Sequence, residues 1–296
     1  MSWLWAVFTV LAAGGQVLRN AQQKELTSSL GTVGATQVRF LFGLPFALLF
    51  LVLVLFSNGH GLAPLNGRML AWSVAAALAQ IGATALLLAA MRDRSFVVTT
   101  AYSKTEPVQV AVFGLAFLGD RLSLGLAAAI VIATAGVLIM SWPRSNAEES
   151  FTWKPAILGI ASGALFAIAA IGFRGGIRAL EVPNFVVAAT TTLALALIIQ
   201  TVMLSLYLVL FDRQKLLAIL REWRPSLFAG FTGAFASQMW FLAFALETAA
   251  KVRTLALIEV LFAQILSRNL FKQRLASREA LGILLIIAGV VLLLNL

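Results

Sequence analysis

Glu106 is the residue best suited to do chemistry in this sequence, because it is a carboxylate inside a long apolar run. Ionisable groups at such a depth are costly and usually face a cavity or a charged partner. Pro107 follows directly and cannot donate to the carbonyl of Ser103, which leaves polar backbone exposed beside the carboxylate. Glu106 could therefore hold a cation, a proton or an amine. The alternative is a structural ion pair with an arginine of another run or with Lys104, although Lys104 and Glu106 project about 200° apart on a helix.

The helix face that carries Glu106 is mixed in character. Tyr102, Gln109 and Phe113 lie on it at helical spacing, which is unlike a lipid-facing surface and predicts that this face lines a cavity. Glu259 occupies the matching place in the second half of the sequence, without a following proline. Its alternative role is again structural, with neutralisation by Arg253 or Arg268.

Arginines in the first two apolar runs are further candidates. Gln16, Arg19 and Asn20 share one helix face, and Arg39 shares another with Thr36. Arg19 could instead snorkel to water from a helix end, whereas Arg39 lies about 9 Å of helix rise inside its run, from where snorkelling is harder.

Neutral side chains in other runs could complete a binding site. Gln80 with Thr84, and Gln238 with Trp240, are the candidates, although Trp240 is equally typical of an aromatic belt at the lipid boundary. Arg174 and Arg268 stand near the ends of their runs and are more typical of interfacial anchors.

The elements that position these residues must be membrane helices. Hydrophobic residues make up 61% of the 296 positions and charged residues 11%, which is too few to coat a soluble surface. Apolar runs of about 20 residues match the thickness of a bilayer, where only helices satisfy their own backbone. Ten such runs are predicted: Ser2–Val17, Val33–Phe56, Met69–Met91, Phe96–Leu118, Leu122–Trp142, Pro155–Phe173, Val182–Phe211, Pro225–Leu246, Thr254–Leu270 and Ala280–Leu296.

Several functional classes lose support from the composition. The net charge of +10 comes from basic residues scattered through short loops, which indicates membrane topology and not nucleic-acid binding. There is no cysteine, and the one histidine, His60, lies in a glycine-rich loop, so neither a metal nor a cofactor is expected. No phosphate-binding loop or nucleophile elbow is present, so we expect neither an enzyme nor an ATP-driven pump.

The chain also looks duplicated. Glu106 and Glu259 lie 153 positions apart, as do two Arg-Leu pairs and two Ala-Gly-Val runs. We therefore predict an all-α membrane protein with a first repeat at 1–144, a linker at 145–154 and a second repeat at 155–296. Because five spans are an odd number, the second copy must enter the membrane from the opposite side. Inverted repeats are typical of secondary transporters.

Three motifs resemble those of the drug/metabolite transporter (DMT) superfamily, in particular its ten-span EamA-type members. They are Glu106-Pro107-Val108, the turn Gly119-Asp120-Arg121-Leu122-Ser123 and Gly136-Val137-Leu138, with a more degenerate second copy that includes Lys272-Gln273-Arg274-Leu275. Asp120 and Gln273 stand where the family usually has a glutamate.

The resemblance implies ten helices around a central cavity and transport of small organic molecules. The main hypothesis is a secondary active exporter or exchanger of small polar metabolites in a bacterial inner membrane, as a monomer or homodimer, with protons as a further partner if Glu106 couples them. Arg39 and Lys104 favour a substrate with an anionic group, such as an amino acid or organic acid. The alternatives are a translocator of lipid-like substrates, with a laterally open cavity, and a non-transporting scaffold.

Loop charges and the resemblance predict opposite orientations. Of the 17 basic residues assigned to loops, twelve lie on the face after the odd-numbered spans. The positive-inside rule makes that face cytoplasmic and puts both termini outside, whereas ten-span relatives are usually drawn with the termini inside. The other face has five: Arg68, Arg121, Arg178, Lys251 and Arg253.

Overall fold

The structure, a computed structural model, describes residues 3–59, 61–93, 102–140, 153–262 and 277–296. Helices dominate this part of the chain, and no strand occurs in it. The helices are α1 Leu4–Leu41, α2 Leu44–Asn58, α3 Gly67–Asp93, α4 Glu106–Phe113, α5 Leu124–Met140, α6 Trp153–Ala179, α7 Phe185–Phe211, α8 Arg213–Arg221, α9 Trp223–Leu246, α10 Ala249–Leu255 and α11 Ser277–Leu294. A single π-helical turn, Gly114–Leu118, extends α4.

Five helical stretches are long and apolar enough to cross a membrane. Large apolar side chains stand exposed on them, for example Val52 and Phe56 on α2 and Leu206 on α7. Such contiguous exposure is unfavourable in water and suits contact with lipid. The protein is therefore an integral membrane protein. The five stretches are Leu4–Asn58, Gly67–Met91, Ala156–Ala179, Phe185–Phe211 and Trp223–Leu246.

The first helix is longer than the sequence predicts. We expected the first span to end at Val17, but the helix runs on to a kink at Gly31, where φ is +67°. The polar residues after Val17 are good helix formers, so loss of hydrophobicity does not mark a helix end there. Arg19 consequently lies in the middle of a helix with 1% of its surface exposed, and snorkelling to water is wrong for this residue.

A short helix outside the apolar runs, α8, lies beside this kink. Asp212 caps α8 by accepting a hydrogen bond from the backbone N–H of Lys215. Its carboxylate also forms an ion pair with Lys215 Nζ at 2.8 Å. The side-chain hydrogen bond from Lys215 lowers the pKa of the exposed Asp212 carboxyl. The stem of Lys215 passes beside Gly31 and Gly34, where added Cβ atoms would lie 3.9 Å and 3.5 Å from it, in ordinary van der Waals contact.

Two helix interruptions occur at corresponding places in the two halves. A turn at Lys104 and Thr105 precedes α4, and a turn at Ala256 and Leu257 follows α10, after which a helix resumes over 258–262. Around the second turn the Leu257 N–H bonds to the Thr254 carbonyl at 3.1 Å, a tight 3₁₀-type contact. Each interruption ends within two residues of a buried glutamate, Glu106 or Glu259.

Three helix pairs make the most extensive contacts. They are α1 with α9, α3 with α6, and α5 with α11. Glycines permit the close approach: a Cβ at Gly136 would lie 2.7 Å from the Gly282 carbonyl, and one at Gly172 would lie 2.8 Å from Ala76. Small residues serve this purpose in membrane helices, where apolar burial alone does not hold helices together.

Candidate functional site

Two buried ion pairs connect the halves of the chain. Lys104 Nζ lies 2.6 Å from Glu259 Oε2, and Arg253 Nε lies 3.0 Å from Glu106 Oε1. None of the four side chains is more than 6% exposed. Each glutamate is therefore neutralised by a cation from the other half of the sequence.

Neutral residues join the two pairs into one network. Trp240 Nε1 donates to Gln16 Oε1 at 3.0 Å, and Gln16 Nε2 donates to Glu259 Oε2 at 2.8 Å. The guanidinium of Arg253 lies over the Trp240 ring, 4.4 Å from its centroid. This ion-pair network comprises Gln16, Lys104, Glu106, Trp240, Arg253 and Glu259, and its two cations balance its two carboxylates.

The helix interruptions explain how neighbouring residues reach different partners. Lys104 lies in the turn before α4, whereas Glu106 begins the helix itself, so the two side chains leave the segment in different directions. Arg253 stands in the last turn of α10, whose start is capped by Thr248. Both ion pairs therefore join the two interrupted segments to each other: each has one partner in the segment of Lys104 and Glu106 and the other in the segment of Arg253 and Glu259.

The two ion pairs differ in their hydrogen bonding. Lys104 makes a hydrogen bond as well as a charge contact with Glu259. Arg253 Nε and Glu106 Oε1 are close, but neither atom has a hydrogen-bond partner among the described residues. The Glu106 contact is thus held by charge alone and is the less constrained of the two.

Two arginines lie beside this network without a carboxylate of their own. Arg19 donates to Asn20 Oδ1 at 2.6 Å, and Arg39 donates to Thr84 Oγ1 at 3.1 Å. They are 1% and 2% exposed, and neither forms an ion pair within the described part of the chain. Arg19 Nη1 and Arg39 Nε have no hydrogen-bond partner there. We call Arg19 and Arg39 the arginine pair.

Gly233 of α9 brings the arginine pair together. A Cβ at this position would lie 3.3 Å from Arg19 Cδ and 3.4 Å from Arg39 Cγ. Both side chains therefore pass the same point, and these two carbons are at most about 6.7 Å apart. The absence of a side chain at Gly233 makes room for both.

A cavity of about 300 Å³ lies between α1 and α3, the helices that carry Arg19 and Thr84. Lys24, Thr27 and Ser28 of α1, with Leu88 and Met91 of α3, line it. Lys24 is five residues from Arg19, or about 7.5 Å along the helix, and Leu88 is one turn from Thr84. The cavity therefore lies on the side of Lys24, one of the twelve predicted loop charges, and neither arginine of the pair lines it.

On the face with five predicted loop charges, a different ion pair connects three segments of the chain. Arg174 Nη1 donates to both carboxylate oxygens of Asp120 at 2.8 Å, and its Nε donates to the Glu247 carbonyl at 3.0 Å. These contacts join the turn after α4 to α6 and to the end of α9. Arg174 is thus separate from the ion-pair network.

The remaining predicted residues are placed less centrally. Gln80 accepts a hydrogen bond from Gln200, and Gln238 donates to Thr190, so both belong to other helix contacts. Tyr102 is half-buried, and the Oε1 atom of the half-buried Gln109 has no hydrogen-bond partner in the described residues. Arg268 and His60 lie outside the described residues.

The sequence predicts the place of Arg253 only in part, and it does not predict the role of Gly233. Arg253 is expected either to neutralise Glu259 or to lie in a loop, but it belongs to α10, is 5% exposed and pairs with Glu106 instead. The apolar residues around it, Val252 and Leu255, were a usable signal of burial. Gly233 gave no signal, because its role depends on two side chains that are distant in sequence.

Comparison with known proteins gives one family and one fold. The sequence model of the EamA-like transporter family matches residues 3–142 and again residues 153–295. No curated protein matches the chain. A solved structure, titled only as the crystal structure of a protein, is 15% identical, covers 98% of this chain and 94% of its own, and superposes with a TM-score of 0.70. At that identity the likeness shows the fold alone.

Proposed function

Because the chain belongs to the EamA-like transporter family of the DMT superfamily, we propose that it is a secondary active transporter of small polar metabolites that carry an anionic group. The family is one of transporters and not of enzymes. A small-molecule substrate and a lipid environment follow from membership, whereas the substrate class, the energy source and the mechanism are the proposal.

The proposed architecture is ten spans in two inverted repeats, 1–144 and 155–296, joined by 145–154. The contacts support it: exchanging the repeats converts the pair of spans 1 and 8 into the pair of spans 6 and 3, and both pairs are extensive. The buried glutamates that follow the two interruptions, Glu106 and Glu259, are 153 positions apart. Repeats of this kind exchange conformations to alternate access to a central site.

The arginine pair is the observation that carries the substrate proposal. Four buried cations, Arg19, Arg39, Lys104 and Arg253, stand against two buried carboxylates among the described residues. Because the ion-pair network balances itself, the excess of two positive charges belongs to the arginine pair. A buried charge without a partner is costly, and a carboxylate or phosphate of a substrate would compensate it through the guanidinium forks.

The ion-pair network takes the role of a coupling element in this proposal. Its pairs join the two halves, so movement of one half against the other must rearrange them. Glu106 is the favoured proton carrier because its contact with Arg253 lacks a hydrogen bond. Lys104 was expected to face the substrate; its pairing with Glu259 assigns it to the network instead.

The two alternatives fare differently. A scaffold should pair every charge at membrane depth, and within the part of the chain that the structure describes the arginine pair has no carboxylate partner. A translocator of lipid-like substrates stays an alternative, but we find no observation that favours it. We further propose a bacterial inner-membrane location and a monomeric or homodimeric protein.

Transport in proteoliposomes tests the function. We expect uptake of labelled glutamate, succinate or glucose 6-phosphate by the intact protein, stimulated by an imposed proton gradient. The amide or ester of the transported compound should compete at least tenfold less well, because it lacks the charge that the arginines bind. Glu106→Gln should lose the stimulation by protons, and Arg39→Gln should lose uptake.

Arg68→Gln is the matched control, because Arg68 is an exposed arginine outside both groups. It should transport like the parent. Equal competition by charged and neutralised compounds would refute the anionic substrate. Unchanged stimulation in Glu106→Gln would refute coupling through that residue.

A further inference from the structure

The charge and the geometry of the arginine pair indicate how many negative charges its ligand should carry. Its two guanidinium groups carry two positive charges, and the neighbouring ion-pair network has no net charge to offset them. Only Glu106 and Glu259 are buried among the carboxylates that the structure describes, and both are already paired. Over the residues that the structure describes, the missing compensation therefore amounts to two negative charges.

The two charges must also be close together. Arg19 and Arg39 both pass within 3.4 Å of the point that a Cβ of residue 233 would occupy, so their side chains converge on one region of the protein. Each retains at least one buried N–H group without a partner, Nη1 on Arg19 and Nε on Arg39. One compact group that accepts hydrogen bonds from both guanidiniums satisfies charge and geometry at once.

We infer that the substrate group held by Arg19 and Arg39 is a dianion, such as a phosphate monoester or two carboxylates on one carbon. This inference rests on the proposed function and narrows its substrate class. A singly charged carboxylate would leave one arginine uncompensated, whereas a dianion makes the whole buried cluster neutral. A neutral cluster costs less to carry through the conformations of a transport cycle.

A methylation series of phosphate separates the dianion from any anion. Methyl phosphate is doubly charged at pH 8, because its second ionisation lies near pH 6; dimethyl phosphate is singly charged and trimethyl phosphate is neutral. The three probes differ by single methyl groups. Their affinities for the purified protein in detergent can be compared by ligand-induced thermal stabilisation, which grows with the ratio of concentration to Kd.

We expect methyl phosphate to bind at least tenfold more tightly than dimethyl phosphate at pH 8, and trimethyl phosphate to bind least. The advantage should shrink when the pH falls to 5 and methyl phosphate becomes singly charged. Malonate and its monomethyl ester form a second series, which distinguishes a phosphate site from a dicarboxylate site.

Variants place the binding at the arginine pair. Arg19→Gln and Arg39→Gln should each lower the preference for the dianion severalfold, while the exposed Arg68→Gln should keep it. If a glutamine variant does not fold, the corresponding lysine variant keeps one charge without the fork and should weaken methyl phosphate binding. An unchanged preference in folded Arg19→Lys and Arg39→Lys proteins would overturn the assignment to these residues.

The outcomes separate this inference from the function it rests on. Equal binding of methyl and dimethyl phosphate, with weaker binding of trimethyl phosphate, would overturn the dianion and leave an anion transporter intact. Equal binding of all three would contradict both. A preference for the dianion that survives in every arginine variant would place it at another site and overturn the inference.

Discussion

The ion-pair network and the arginine pair are neighbouring groups of buried charge that differ in charge balance. In the network every cation faces a carboxylate from the other half of the chain, at 2.6 and 3.0 Å. In the arginine pair the partners are neutral, Asn20 and Thr84. A balanced group can hold the halves in one arrangement, whereas the arginine pair, which has no carboxylate partner among the described residues, can accept an anion that enters. The contrast supports the proposal that the network serves structure and coupling and that the arginine pair serves binding.

Removing a carboxylate from the network should have the largest effect. Glu259→Gln leaves Lys104 buried without its counter-charge and removes an acceptor of Gln16, so we expect a loss of about 3–5 kcal/mol in the free energy of unfolding. Thermal unfolding in detergent measures it. The exposed carboxylate variant Glu222→Gln is the control and should change stability little. A Glu259→Gln protein as stable as the parent would contradict the structural role of the network.

The positions of the helices were more predictable from the sequence than the ion-pair partners of the buried charges. Apolar runs such as 182–211 and 225–246 predicted α7 and α9 closely, because length and hydrophobicity decide where a membrane helix forms. The matching positions of Glu106 and Glu259 also followed from the sequence offset. Partner choice did not, because Arg253 and Lys104 are placed by helix interruptions and by packing between distant spans. The kink at Gly31 escaped prediction because its surroundings stay helical.

Removing an arginine of the pair should have the opposite effect on stability. Arg39→Met keeps much of the side-chain length but deletes a buried charge without a carboxylate partner, so we expect the ligand-free protein to unfold at a higher temperature. Each kcal/mol gained should raise Tm by roughly 2–4 °C. The same variant should lose the thermal stabilisation that anions give to the parent.

Arg174→Met provides the matched comparison. This arginine is paired with Asp120, so its loss should lower Tm instead of raising it. A Tm for Arg39→Met that falls by as much as that of Arg174→Met would show that Arg39 has a counter-charge within the protein, and the distinction between the two groups would fail.

The smallest effect should come from Gly233, which is not charged but sets the space between the two arginines. Gly233→Ala adds a methyl group 3.3 Å from Arg19 and 3.4 Å from Arg39, a distance at which flexible side chains must shift by a few tenths of an ångström. We expect anion affinity to fall by severalfold, measured by competition binding, because the two forks no longer meet one group in the same geometry. Stability should stay the same or rise by up to about 1 kcal/mol, because alanine is the better helix residue.

Gly61→Ala is the control, since nothing lies within 4 Å of a Cβ placed there. Loss of stability in Gly233→Ala with unchanged affinity would assign this glycine to helix packing alone, and the convergence of the two arginines would then have no bearing on binding.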